Sequence, residues 1–395
     1  MSISITLPSF LVLNKYAPAA STPLHLLSRS KPLYGDATST SALLLSDPIS
    51  DTATPFQEPS YPQYDLPPSI PPIPGAPEIA QSTNSTLIIF PTSSLISTDG
   101  QPTSDLSQSG CFLQSLSSSQ TSGVTIASSL VLRNQAEGWR TQFLVEGLQP
   151  STNYTFYTLT TTQGGGRNLS DPAYFKTKST AFSCTLVHSL SFCPSVSWAA
   201  PFPTLTGSPK SYDSTNFPPL IQQTLAQSLG NFTASLKTFP CGRDIYSIIQ
   251  SCASCERAYR DWLCSVLIPR CGEVVADGSP PLLPPPALEA RSLAADNTTS
   301  SSARLGQTIF SNSTPPVENY VELLPCLETC HGVDRACPPN MQWTCPRKGF
   351  GAERSYGVGY VDLEGDDISG GGLEGGGMTG TTQDTYGNVW CNGIV

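Results

Sequence analysis

Two hydrophobic periods divide this chain. Short apolar runs, parted by turn residues, recur between about residues 80 and 180. Residues 86–90, 123–127, 139–145 and 154–159 read as strands, and 173–177 reads as a closing strand. That spacing predicts an antiparallel β-sandwich. Further on the period lengthens. Ile221, Leu225, Leu229, Phe232 and Leu236 recur every three or four positions and predict an amphipathic helix over 220–236. A second stripe, running from Ile245, Ile248 and Ile249 through Cys252, Cys255, Tyr259, Trp262 and Leu263 to Val266, predicts a helix from Asp244 to about Leu267, with Asp244 as its cap. A third helix is expected over 321–330, which sets Cys326 and Cys330 on one face.

Elsewhere the periodicity fails. Residues 1–80 are rich in Ser, Thr and Pro, with Pro67-Pro68 and Pro71-Pro72 close together. They read as a disordered, solvated segment without a core, acting as a linker or a proline-rich docking ligand. Residues 277–316, which include Pro284-Pro285-Pro286, and the Gly-rich 364–382 read as flexible insertions. The expected organisation is therefore a disordered 1–80, a β-sandwich at 81–180, and a cysteine-rich, mostly helical domain at 181–395.

Cysteine usage changes the picture. Twelve of the thirteen cysteines fall after residue 180. They are Cys184, Cys193, Cys241, Cys252, Cys255, Cys264, Cys271, Cys326, Cys330, Cys337, Cys345 and Cys391. An even number in a loop-rich region predicts six disulfides, whose connectivity spacing alone leaves open. Cys111 is left over, free or paired with sequence outside this chain. Each bridge is worth roughly 2–4 kcal/mol of lost unfolded-state entropy, and such a framework belongs to an oxidising compartment. Asn84, Asn153, Asn168, Asn231, Asn297 and Asn312 each open a glycosylation acceptor triplet, which agrees with a secretory route. Only 13% of residues are charged and the formal net charge is -10, which excludes a nucleic-acid partner.

Catalytic and metal readings find little support. Cys252-x-x-Cys255 lacks the βαβ setting of a redox site, and zinc would want more than three His and a second tight cysteine pair. His25, His188 and His331 lie in unrelated contexts, and the acidic run Asp362 to Asp367 lacks calcium-loop spacing. The expectation is a protein that is not an enzyme and needs no cofactor. No run approaches the ~20 apolar residues of a spanning helix. Residues 3–13 make a poor secretory signal, interrupted by Pro8 and without a basic start, so the expectation is that the true start is missing. Membrane association is expected through a partner or through that missing sequence.

Two stretches carry resemblances. Gly147-Leu148-Gln149-Pro150-Ser151-Thr152-Asn153-Tyr154 resembles the tyrosine corner of fibronectin type III domains. The spacing Cys241-x10-Cys252-x2-Cys255-x8-Cys264-x6-Cys271, with the core Tyr259-Arg260-Asp261-Trp262-Leu263-Cys264 and the run on to Pro269-Arg270-Cys271, resembles the fungal mating-induced-death family of stretch-activated calcium-channel components. Phe192-Cys193-Pro194, Ala199-Ala200-Pro201, Pro325-Cys326-Leu327 and the closing Trp390-Cys391-Asn392 support the match. The resemblance implies a frizzled-like helical cysteine-rich domain. It implies a glycoprotein regulatory subunit that associates with the pore-forming fungal calcium-channel α-subunit, on the extracellular face of the plasma membrane and in the endoplasmic reticulum, and supports stretch- or stress-activated calcium influx. Tyr259 and Trp262 are the candidate docking aromatics, although aromatics at helical period usually face a core. The rival readings are a secreted frizzled-like ligand-binding module and a cell-wall adhesion or structural protein.

Overall fold

The computed structural model describes residues 25–27, 32–54, 74–95, 109–120, 123–134, 137–161, 166–205, 210–239, 241, 246–273, 286–292, 319–347, 349–359, 383 and 387–393. It is a mixed β-sheet and helical protein, disulfide-rich and built in two parts.

The first part is two packed sheets. One holds β1 (His25–Leu27), β4 (Asn84–Pro91), β7 (Asn153–Thr161), β8 (Arg167–Leu169) and β9 (Ala173–Lys176), with β7 pairing β4, β8 and β9. The other runs in the order β2 (Leu33–Ala37), β3 (Ser41–Leu45), β6 (Arg140–Glu146), β5 (Thr125–Val131), all antiparallel. Tyr34, Ala42, Leu44, Phe143 and Val145 from the second sheet meet Ile89, Tyr154, Phe156 and Phe175 from the first in one buried cluster. The opposite face of the first sheet carries Ile88, Phe90, Tyr157 and Leu159, which the helix α2 (Gly110–Gln120) covers with Leu113. A short α1 (Glu78–Ser82) leads into β4. At the corner before β7, Leu148 is buried, the Tyr154 hydroxyl accepts from the Gln149 amide at 2.9 Å, and Thr152 Oγ1 donates to the Pro150 carbonyl at 2.9 Å. The corner is entered at Gly147, whose φ is +91° and where a Cβ would fall 2.6 Å from the Gly123 carbonyl oxygen.

Strands β2 and β3 correct the expectation of a disordered 1–80. Every residue of β3 is buried, because both of its faces are covered. Ala42 and Leu44 point into the sandwich, while Leu43 joins the core of the second part. Residues 55–73 of the Pro-rich segment lie outside the described residues.

That second part starts with the pair β10 (Thr185–Val187) and β11 (Trp198–Ala200), followed by α3 (Pro219–Leu236) and α4 (Cys252–Leu267). A small antiparallel sheet sets β14 (Asn319–Leu323) between β12 (Arg270–Gly272) and β13 (Leu288–Ser292). Then come α5 (Leu327–Ala336) and the single turn α6 (Ala352–Ser355). Three expectations change here. Residues 288–292, assigned to a flexible insertion, form a strand. Residues 321–323, expected to open a helix, are extended instead, because they belong to β14 at the centre of that sheet. The helix expected from Asp244 begins at Cys252, since Ser251 is the cap and its side chain accepts from the Ser254 amide at 3.0 Å. Ile248 and Ile249 fall outside the helix and stand 91% and 81% exposed. Asp244 and residues 364–382 are outside the described residues.

Candidate functional site

The twelve C-terminal cysteines form six disulfides: Cys184–Cys271, Cys193–Cys264, Cys241–Cys252, Cys255–Cys337, Cys326–Cys391 and Cys330–Cys345. The two sulfurs of Cys252-x-x-Cys255 therefore leave in different directions. Cys252 closes the loop before α4, and Cys255 staples α4 to the end of α5. Cys264, two turns further along the helix, is bound to Cys193 beside the β10–β11 pair. Cys326, Glu328 and Cys391 bring ligand atoms within 4.8 Å of one another, but the two sulfurs are already joined. Cys111 lies on α2, exposed and outside the six bridges.

Helix α4 organises the domain. Leu263 and Cys264 face the larger core with Trp198, Phe192, Ala199 and Ala200, and Cys252 and Cys255 face a smaller one with Leu236 and Val333. Between the two cores sits an aromatic junction. Tyr259 stacks on Phe232 of α3 at 3.6 Å, and Trp343 packs edge-on against both Tyr259 (5.9 Å) and Trp262 (4.8 Å). Trp262 Nε1 donates to the Tyr356 hydroxyl at 2.9 Å. Tyr259 and Trp262 are half-buried spacers packed against both cores, and burial raises the Tyr259 hydroxyl pKa. Among the described residues, the most exposed large apolar groups of this region are Ile248, Ile249 and Phe350, the last 84% exposed.

Charges around the junction are few and held. Arg260 pairs with Glu256 one turn away at 3.1 Å, and burial raises the Glu256 carboxyl. Asp261 accepts from the Ser195 hydroxyl at 3.2 Å, and burial pushes its carboxyl up to about 6 against the pull of Arg260. His188 lies near the seam, hydrogen-bonded to Gln142 and to the Ser189 and Ser211 hydroxyls, and burial takes it down to about 4. His331 lies on α5 and His25 on β1. Of the glycosylation asparagines, Asn84, Asn153 and Asn231 are exposed, Asn168 is half-buried, and Asn297 and Asn312 lie outside the described residues. The acidic run at 362–367 is outside them too.

Sequence reasoning missed the bolt between the two parts. Asp36 on β2 and Arg270 on β12 form an ion pair at 2.9 Å with both side chains 2% exposed. Asp36 is saturated. Its Oδ1 accepts from the Tyr34 hydroxyl (3.3 Å) and the Ala37 amide (2.9 Å), and its Oδ2 accepts from the Ala199 amide (3.2 Å) and Arg270 Nε. Arg270 Nη2 donates to the Gly35 carbonyl at 2.9 Å. A cavity of about 320 Å³ opens beside the pair, walled by strands and loops of both parts. One signal could have found Arg270. A charge set in Leu267-Ile268-Pro269-Arg270-Cys271 is costly unless a distant carboxylate meets it.

At the chain's end, Asn392 is buried and its Nδ2 donates to the Ser265 carbonyl of α4 at 3.0 Å. The closing Trp390-Cys391-Asn392 is therefore part of the same packed unit. Among the described residues no helix is long and apolar enough to cross a membrane.

Comparison with known proteins places these features together. The family model described as "Mid1: Stretch-activated Ca2+-permeable channel component" matches residues 15–369. The chain is 33% identical to a stretch-activated cation channel MID1 of Cryptococcus neoformans over 95% of its own length and 61% of the relative's. It is 28% identical to stretch-activated cation channel yam8 of Schizosaccharomyces pombe over 58% of the chain and 43% of the relative. Against the Saccharomyces cerevisiae stretch-activated cation channel MID1 the figures are 29%, 52% and 35%. The chain thus spans about three-fifths or less of these relatives. No solved structure matches.

Proposed function

We propose that this chain, which belongs to the Mid1 family of stretch-activated Ca2+-permeable channel components, is an extracytoplasmic regulatory subunit of a fungal plasma-membrane calcium channel. One observation carries the reading: the family match runs through the sandwich and most of the strapped helical domain as one continuous stretch, 15–369. In this reading the sandwich is fibronectin-III-like, the helical domain is frizzled-like, and the two are bolted by Asp36–Arg270 into one lever. Disulfides make the lever stiff, so a load applied at one end reaches the other without unfolding the helices. In this reading the pore belongs to a separate α-subunit. Six acceptor asparagines and six disulfides support passage through the endoplasmic reticulum to the outer face of the membrane.

Docking on the α-subunit falls to Ile248 and Ile249, beside the motif helix, with Tyr259 and Trp262 holding that helix in place. The rival lipid-capture reading wants an apolar groove between helices. The cavity at the seam has charged walls and is lined by strands and loops instead. The test is co-purification with the channel α-subunit and calcium uptake in a deletion strain. Ile248→Ser/Ile249→Ser is expected to reach the cell surface at normal levels yet lose most of the complex and of the uptake. Full recovery of both by a normally trafficked variant sinks the docking assignment. Normal uptake in the deletion strain itself sinks the channel reading.

A further inference from the structure

We propose that the seam between sandwich and strapped domain is a binding site for a phosphate-class oxyanion carried on a sugar-sized body. The cavity there, about 320 Å³, is at the small end of ligand sites and larger than a bare phosphate needs. Its charged wall comes from both parts: Lys176 and Lys178 from the sandwich, Arg270 and Glu273 from the strapped domain, and Asp36 from β2.

The two carboxylates are already occupied. Asp36 accepts four hydrogen bonds, Arg270 among the donors, and Glu273 Oε1 accepts from the Ser179 amide at 3.0 Å. The cations keep donors to spare, although Arg270 already gives Nε to Asp36 and Nη2 to the Gly35 carbonyl. Arg270 is 1% exposed, and its Nη1 is buried with no hydrogen-bond partner among the described residues. A buried guanidinium nitrogen in that state costs free energy until an acceptor meets it. Neither lysine belongs to an ion pair among the described residues, and Lys178 Nζ stands 5.9 Å over the Phe182 ring. Three cations against two satisfied carboxylates make a local positive pocket on a chain of formal net charge -10. A dianionic oxyanion fits that set better than a carboxylate, because it offers acceptors to the lysines of one part and the arginine of the other at once. Occupancy would therefore cross-link the two parts at the position where the ion pair already joins them.

The experiment uses the purified, oxidised full chain at low salt. Calorimetric titrations with glucose 6-phosphate, inorganic phosphate and glucose form one arm. Sedimentation with phosphatidylcholine vesicles, with and without phosphatidylinositol 4-phosphate, forms the other. Saturable binding of glucose 6-phosphate but not glucose is expected, weakened about tenfold or more by Lys176→Glu/Lys178→Glu. Those lysines are exposed or half-buried, so the variant is expected to melt at the wild-type temperature. Charge-sensitive binding to the phosphoinositide vesicles alone makes a lipid headgroup the source of the same chemistry. Binding of neither soluble nor lipid phosphate, or binding that survives the charge reversal, overturns the proposal. Binding of inorganic phosphate and sugar phosphate with equal strength overturns the sugar-sized part of it.

Discussion

Replacing Asp36 tests whether the two parts act as one body. Asp36→Ala removes four hydrogen bonds and leaves the Arg270 guanidinium buried without its counter-charge. Breaking one side of a buried pair costs about 3–5 kcal/mol. Arg270→Ala is expected at the lower end of that range. Asp36 would keep the Tyr34 hydroxyl and two backbone amides as donors, which go on stabilising its charge. Asp36→Leu/Arg270→Met removes both charges and is expected to recover most of the loss, since an apolar pair of similar volume is often neutral. The coupling energy from the corresponding cycle should reach about 2 kcal/mol or more. Urea unfolding of the oxidised protein, followed by fluorescence and near-ultraviolet circular dichroism, supplies the numbers. The single variants should also split one transition into two as the sandwich and the strapped domain lose their joint. Single variants that each cost under about 1 kcal/mol, with a coupling near zero, would refute the bolt.

Two further outcomes follow. Removing Cys193–Cys264, which closes 71 residues, should cost about 4 kcal/mol, against about 3 kcal/mol for Cys241–Cys252, which closes 11. Urea midpoints of the paired Cys→Ala variants in that order support an entropic strap, and the reverse order contradicts it. The pH profile should carry two opposed slopes. His188, taken down to about 4 by burial, binds fewer protons folded than unfolded, so its share of stability is lost as pH falls from about 6.5 toward 4. Asp261, pushed up to about 6 by burial, binds more protons folded, so its share is lost as pH rises from about 4 through 6. His188→Gln should leave the falling slope and Asp261→Asn the rising one in urea titrations between pH 4 and 7. Identical profiles for wild type and both variants would dismiss these two groups as the cause.

Local signals made much of this protein legible. The β4, β6 and β7 strands alternate or run apolar within themselves, and the α3 stripe repeats at helical spacing, so neighbours in sequence carry the whole message. The cysteine pattern announced a disulfide framework for the same reason. The family resemblance was legible because its motif is one unbroken helix with its flanks. By contrast, β2 reads Leu33-Tyr34-Gly35-Asp36-Ala37, with a glycine and a carboxylate where a strand wants β-branched residues. Nothing nearby marks it as buried. The partners that complete its acceptor set from afar are Arg270, 234 positions away, and the Ala199 amide.

From its own order of residues the chain determined an oxidised, strapped helical domain after a sandwich, and the family to which both belong. Tertiary structure decided which cysteines meet, that Tyr259 and Trp262 pack at a junction while Ile248 and Ile249 face solvent, and that residues 33–45 complete a sheet. Those outcomes depend on partners remote in sequence. A long-range contact becomes favourable only when folding brings its two halves together, so neither half carries its signature alone.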